Sequence, residues 1–241
     1  MQPPSYLVRR ILRKTGSGAT VSSYCTLDAI LKFDCEETPC GVYNEIVALK
    51  LGQVLNAPVA SGVLTNTMDG QTFASLQLGS PGLTLPDVLE SQLPLVASTY
   101  PREAAALVAF DVLIGNIDRN NNLKAAVSSP HLRTFAAFDH GVSLLGVEDD
   151  PEKSLARLES DDLLLTFHPF FGLVTKAAVD VMVQRIAKLT KDQIEECCVF
   201  GKAFRGISLA RQFQLASALQ QRSSKLSAII DAHQNIVRVQ V

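Results

Sequence analysis

The stretch from Phe110 to Leu145 constrains this chain more than any other. It opens FDVLIGNIDRNNNLKAAV and closes FAAFDHGVSLL. Two polar clusters, Gly115 to Asn122 and Asp139-His140-Gly141, each sit between apolar runs. An apolar strand or helix that delivers a carboxylate to its end, done twice about 20 residues apart, is a common way to build a site for a metal and an anion.

The totals bound what can surround such a site. A chain of 241 residues makes one large domain or two small ones and can bury a core. With 47% hydrophobic and 19% charged residues the composition is that of a folded globular chain. A formal net charge of −2 argues against a nucleic-acid protein that relies on a bulk basic field. No apolar run approaches the ~18 residues of a membrane span. The start, MQPPSYLVRRILRKTG, lacks an apolar core after its basic residues, so no secretory signal is expected. Five cysteines, an odd count, fit a reducing compartment, and a cytoplasmic location is expected. Cys35 and Cys40 are spaced too widely for a zinc knuckle. Cys197 and Cys198 are adjacent, so on a helix they diverge by about 100°. Structural thiols are the expectation.

Read in order, the first half is strand, strand, helix, strand, strand. YLVRRIL, ATVSSYCTL and AILKF carry β-branched and aromatic residues and are split by KTGSG. That Gly16-Ser17-Gly18 segment reads either as a hairpin turn or as a short glycine loop over a phosphate. YNEIVALKLGQVLN predicts a helix with Asn44 as its cap and Glu45 in its first turn, ended by Asn56-Ala57-Pro58. VASGVLTN and QTFASLQL predict two strands around the MDGQ turn. Residues 81–101, with four prolines, read as a connector holding a short helix or two. PREAAALVAFDVL predicts a strong helix. VEDDPEKSLARLESDD is acidic and loop-like with a helical turn or more. Beyond Thr175 the periodicity predicts helices over KAAVDVMVQRIAKL, KDQIEECCVFGKAF and LARQFQLASALQQRSSKLSAIIDAHQN. The sum is α+β: a β-rich first part with one helix, then a mostly helical part, with a ligand cleft between unlike parts.

The constellation then acquires a chemistry. Phosphoryl transfer needs positioning, metal ions and one carboxylate to accept a hydroxyl proton. Kinases supply these with an Asp-x-x-x-x-Asn loop followed by Asp-x-Gly. Here Asp118 is followed by Asn121 and Asn122, and Asp139-His140-Gly141 comes next. Upstream, Lys32 lies inside an apolar strand, where a bare charge is costly. Glu45 on the next helix is its natural partner, and a strand lysine paired with a helix glutamate is how kinases hold nucleotide phosphates. Arg119 reads as holding the loop by a salt bridge. His140 reads as a satisfied core histidine or a base. His131, His168 and His233 have no partner nearby in sequence.

On these residues (ILKF with Lys32, NEIVALKLGQVLNAPV, FDVLIGNIDRN and FDHGVSLL, with LASALQQRSSKLSAII near the end) the chain resembles the HipA-like kinase family, a bacterial branch of the protein-kinase-like fold. The phosphatidylinositol kinases carry a similar loop. The resemblance covers nearly the whole chain. It implies a single two-lobed kinase-like domain, with a small β-rich lobe to about residue 82 and a larger helical lobe from about residue 83 to 241. It implies Asp118 as the catalytic carboxylate, Asp139 as the main Mg²⁺ ligand, Lys32 as the phosphate-binding lysine and Glu45 as its partner. It also implies a loop asparagine as the second metal ligand, with ATP and Mg²⁺ as cofactors. The family loop reads Asp-Arg-His-x-x-Asn. Here Asn120 replaces the histidine and the last asparagine falls four residues after Asp118. Asn122 is taken as the ligand because Leu123 follows it as an apolar residue does in the family. The GSGATVS segment lacks the full G-x-G-x-x-G, so Gly16 and Gly18 stand alone as phosphate-loop candidates.

Three functions stay open at this stage. One is a protein Ser/Thr kinase. Another is a lipid or small-molecule kinase on the same scaffold. The third is a nucleotide-binding interaction module without turnover, which the shortened loop motivates. The expected partners are a hydroxyl acceptor and an antitoxin-like or regulatory protein, with no specific nucleic acid and no membrane span.

Overall fold

The structure is a computed structural model that describes residues 6–16, 22–68, 70–80, 83–127 and 133–238. Its N-terminal part is built on antiparallel strands. β1 (Val8–Lys14) and β2 (Ser23–Leu27) form a ribbon in which every residue is exposed. β3 (Ala29–Lys32), β4 (Gly62–Thr67) and β5 (Gly70–Leu76) form a separate three-stranded sheet in the order β3-β5-β4. Side chains alternate along strands, so the register puts Ile30, Lys32, Leu64, Phe73 and Ser75 on one face. Gly62 belongs to that face too. A Cβ there would stand 2.2 Å from the Phe73 ring, so only glycine fits.

Helix α1 (Gly41–Leu55) packs against this sheet and is buried on nearly every side. Its start corrects the expected cap. Asn44 lies inside the helix, and Asp34 does the capping: its Oδ1 accepts from the Val42 N–H at 2.8 Å. Asn56 ends the helix in the left-handed conformation (φ 51°), the Ala57 N–H closes on the Gly52 carbonyl at 2.8 Å, and Pro58 prevents continuation. A short strand pair, β6 (Gly79–Ser80) with β7 (Leu83–Thr84), follows.

The rest is mostly helical. α2 (Leu93–Thr99) leads into α3 (Pro101–Ile114), whose residues from Leu107 to Ile114 are all buried. A helix apolar all round belongs at the centre of a core, and α5 and α7 pack on it. β8 (Leu123–Ala125) pairs with β9 (Phe135–Ala137). Val59 pairs with Ala137 in parallel, through Ala60 N–H to the Ala137 carbonyl and Ala137 N–H to the Pro58 carbonyl, both 2.7 Å. That contact joins the two parts. The acidic segment is more ordered than its charge suggests. α4 (Pro151–Glu159) is capped by Asp150 and buries Leu155 and Leu158. α5 (Lys176–Ile186), α6 (Lys191–Cys198) and α7 (Leu209–Asp231) complete the chain.

α6 stops at Cys198, earlier than the periodicity predicts. Residues 199–207 instead form a loop with Gly201, Arg205 and Gly206 at positive φ, held by the buried Gln212 side chain on Phe200 N–H and the Lys202 and Ile207 carbonyls. Cys40, Cys197 and Cys198 are buried free thiols. Burial pushes Cys40 and Cys197 up to about 11, so they are inert core groups. Cys25 and Cys35 are exposed and free. Among the described residues no helix is long and apolar enough to cross a membrane.

Candidate functional site

Lys32 ends β3 on the face that meets α1. Its Nζ lies 2.5 Å from Glu45 Oε1 and 2.8 Å from Asp139 Oδ1, so one ammonium bridges carboxylates from a helix and from the loop after β9. The Glu45 side chain is almost fully buried. It also accepts from the His140 backbone N–H at 3.0 Å. Burial works to raise its pKa, but hydrogen bonding from His140 and the Lys32 charge win and lower it to about 2. Glu45 is therefore a fixed anion, and Lys32 is aimed by it. Asp139 sits at φ 59°, a left-handed turn that swings its carboxylate out of the β9 line toward Lys32.

His140 is buried. Its Nδ1 lies 3.6 Å from Glu45 Oε2, and its Nε2 has no hydrogen-bond partner among the described residues. Burial and the nearby Arg119 charge push its pKa down. The following turn is pinned by Asn44, which donates to the Gly141 carbonyl at 2.8 Å and accepts from Leu145 N–H at 3.3 Å. Asn44, expected at a cap, instead ties α1 to the Asp139-His140-Gly141 turn.

The Asp118 loop starts where α3 ends at Gly115 in the left-handed conformation. Asp118 is exposed. Its pKa is raised by partial burial and by the neighbouring Asp139 charge. Arg119 turns the other way and is fully buried. Its guanidinium makes a two-pronged pair with Asp111, Nε to Oδ2 at 2.7 Å and Nη2 to Oδ1 at 3.0 Å. Its Nη1 donates to the carbonyls of Asn122 at 3.0 Å and Phe138 at 2.5 Å. One side chain thus clamps the Asp118 loop to the residue preceding Asp139. Asn116 donates to Asp111 Oδ1 at 3.2 Å and accepts from Asp118 N–H at 3.2 Å. Asn122 Nδ2 donates to the Asp118 carbonyl at 2.9 Å, so its amide nitrogen is used within the loop. Asn121 takes the left-handed conformation (φ 63°).

Beside these residues is a cavity of about 350 Å³. Ile30, Ala60, Leu78, Leu85 and Phe138 give it apolar walls, and Asn121, Asn122, Asp87 and Lys124 give it polar ones. Ile30 is two residues from Lys32 on the same strand face, and Phe138 directly precedes Asp139. The donors fit Mg²⁺ in kind, being carboxylate and amide oxygens. Among the described residues no cluster of three or more His, Cys, Asp or Glu could hold a metal. A bound Mg²⁺ would thus take phosphate oxygens and water as its remaining ligands.

The structure brings Lys32, Glu45 and Asp139 into direct contact and sets Asp118 close enough to Asp139 for their charges to interact. Gly16 lies two residues past the end of β1, and among the described residues nothing comes within 4 Å of a Cβ placed there. Gly18 lies outside the described residues. Sequence reasoning missed Asp111 and His168. Asp111 carried a signal, a carboxylate inside the apolar run VAFDVLI that burial would forbid without a partner. His168, 57 residues further on, carried none.

The chain has the fold of the HipA-like kinases. It is similar to the Helicobacter pylori proinflammatory kinase CtkA, with a TM-score of 0.58 and 16% identity over 93% of this chain and 97% of that one. It is also similar to a chain of the Shewanella oneidensis MR-1 toxin–antitoxin complex of HipA, HipB and its operator DNA. There the TM-score is 0.60 and the identity 15%, over 100% of this chain and 68% of that one. No protein-family model matches the chain, and no curated protein sequence matches it.

Proposed function

We propose that the chain is an ATP- and Mg²⁺-dependent phosphotransferase acting on an alcohol, with a protein serine or threonine as acceptor. The observation that carries this reading is Lys32 bridging Glu45 and Asp139 beside Asp118. The fold shared with two kinases supports it. In this reading residues to about 82 and from about 83 are the two lobes of one domain, with the nucleotide between them.

Each residue then has a task. The 350 Å³ cavity is within the usual size of a small-ligand pocket and takes the base between Ile30 and Leu85. Lys32, aimed by Glu45, holds the phosphates. Asp139 and Asn122 hold the metal. A Mg²⁺ ion held there would supply positive charge against the phosphate oxygens. Asp118 accepts the proton of the acceptor hydroxyl as its oxygen bonds to the γ-phosphorus and the bond to the β–γ bridging oxygen breaks, releasing ADP. The raised pKa of Asp118 suits a base, because a carboxylate that holds protons more tightly also accepts them more readily. Arg119 is spent on the loop and touches no substrate. The neighbour's complex with HipB makes a regulatory protein partner part of this reading.

Incubation with labelled ATP and Mg²⁺, alone and with protein, lipid and sugar acceptors, tests it. Autophosphorylation or transfer to protein is expected, lost in Asp118→Ala and Asp139→Ala. Equal label on those variants refutes the assignment, and label on lipid or sugar alone moves the acceptor class. Binding of Mg·ATP with no turnover favours the interaction module.

A further inference from the structure

Asp111 is the buried hub beneath the catalytic loop. Its carboxylate receives Arg119 Nε and His168 Nε2 on Oδ2, and Arg119 Nη2 and Asn116 Nδ2 on Oδ1. That fills about the four lone-pair positions a carboxylate offers. Three of these donors come from the loop itself. The fourth, His168, comes from the segment between α4 and α5, which has no regular secondary structure.

The His168 ring is specified at both nitrogens. Its Nδ1 accepts the Phe170 N–H at 3.2 Å, so the proton sits on Nε2 and is donated to Asp111 at 3.1 Å. Phe170 and Phe171 flank the ring, with centroids 5.9 and 5.3 Å away. The ring is fully buried. Arg119 alone already balances the Asp111 charge, so His168 is not required as a counter-ion. What it adds is a fixed direction for Oδ2, the oxygen it shares with Arg119 Nε. Without it the carboxylate keeps its bonds to Arg119 and Asn116 but loses the one that ties it to a segment outside the loop, so the carboxylate and the guanidinium paired with it are held less firmly. Arg119 Nη1 is the atom that sets the Asn122 and Phe138 carbonyls in register. Those residues adjoin or include the proposed metal ligands.

We propose that His168 is a positioning residue for phosphoryl transfer: through Asp111 and Arg119, its Nε2–H fixes the Asp118 loop against the segment after β9 that carries Asp139. The inference deepens the phosphotransferase reading and rests on it for the reaction named. It also makes the segment between α4 and α5 a part of the catalytic frame, since its backbone is tied to that loop through one imidazole.

The test compares His168→Gln, whose amide nitrogen can reach the Nε2 position, with His168→Phe and His168→Asn, which cannot donate to Asp111. Supporting partners of a metal site typically cost about 10–100-fold in activity when removed. At saturating Mg·ATP, His168→Phe and His168→Asn are expected to lose turnover by about that factor, with the KM for ATP within about twofold of the parent. His168→Gln is expected to recover most of the rate. Amide hydrogen exchange without nucleotide is read in parallel. Residues 116–122 and 138–139 should exchange faster in the Phe and Asn variants and not in the Gln variant, while α1 stays unchanged. A folded Phe or Asn variant with parental rate and exchange overturns the proposal. So does a loss confined to KM, or equal loss in all three variants. If the Phe variant fails to fold, the Asn variant carries the comparison. If the parent shows no turnover at all, the phosphotransferase reading fails. The exchange comparison then decides the positioning claim alone, and unchanged exchange at 116–122 overturns it.

Discussion

Removing one charge from the Lys32–Glu45 pair should cost different amounts depending on which charge goes. The Glu45 side chain is 3% exposed and the Lys32 side chain 18%. In Glu45→Gln the amide keeps an acceptor for the His140 N–H, and Lys32 keeps Asp139 at 2.8 Å. What is lost is one charge-assisted hydrogen bond, worth about 1.5–3 kcal/mol. In Lys32→Met the carboxylate of Glu45 stays buried with a backbone N–H and an uncharged histidine. Breaking a buried pair this way costs about 3–5 kcal/mol. For a chain of this length each kcal/mol moves the melting temperature by about 2–4 °C. Lys32→Met should therefore melt roughly 6–20 °C below the parent and Glu45→Gln roughly 3–12 °C below. The double variant should be more stable than the sum of the two losses, with a coupling of about 1–3 kcal/mol. Urea titrations of all four proteins at pH 7 measure this. Glu45 has a lowered pKa, so the pair's stabilisation is present above the usual carboxylate range and is lost only as pH falls toward about 2. A Glu45→Gln loss equal to or larger than the Lys32→Met loss, or additivity of the two, would refute the claim that Glu45 is a buried fixed anion held by Lys32.

The other predictions concern single groups. Asp118→Asn should abolish transfer yet raise the melting temperature near neutral pH. The parent's Asp118 pKa is raised by burial and by Asp139, so its charge destabilises the fold above that pKa, and the gain should vanish as the pH falls below it. A variant that is less stable at pH 7 counts against the repulsion between the two carboxylates. Arg222→Met should lower the melting temperature by about 6–12 °C, because Arg222 is buried and serves the Val112, Leu158, Ser160 and Asp162 carbonyls, at a total cost of about 3 kcal/mol. Nucleotide affinity should be unchanged, since none of these groups borders the cleft, and an unchanged melting temperature sinks the account. Gly146→Ala should weaken Mg·ATP binding in a titration, because its Cβ would come within 2.9 Å of Asn44 Nδ2 and of the Gly141 carbonyl; parental affinity would show that this turn tolerates movement.

The sequence made legible whatever depends on local pattern. β3 ends at Lys32, α3 runs from Pro101, and the Asp118 and Asp139 clusters follow a helix and a strand as their apolar flanks imply. The helix cap at Asn44 was misplaced because Asn favours caps as a residue type, whereas here tertiary bonds to Gly141 and Leu145 outweigh that preference. The end of α6 was overshot because a loop held by Gln212 looks helical in periodicity alone. Asp111 was readable in principle, as a carboxylate in an apolar run. Its partnership with His168 was not, because nothing local links residues 57 apart.

The N-terminal sheet and the helix that carries Glu45 are held by different neighbours. α1 is fixed from the C-terminal side. Tyr43 donates to the Cys198 carbonyl at 2.8 Å, its ring packs on Phe200 and Phe204, and Lys50 donates to the Glu196 carbonyl. Arg205 meets Asp34 at 2.6 Å while the other oxygen of that carboxylate caps α1. Three anchors on the helix and one on its capping residue Asp34, all from residues 196–205, leave it little freedom to swing as a lever. The position of Glu45 is thus a property of the C-terminal part, and Asn44 extends the same rigid unit to the Asp139 turn. Lys32 comes from the three-stranded sheet, which carries exposed Ile30, Leu31 and Val63 and is separate from the fully exposed β1–β2 ribbon. Lys32 therefore meets, at 2.5 Å and 2.8 Å, two carboxylates on elements tied to the C-terminal part, which follows from where the anchors lie.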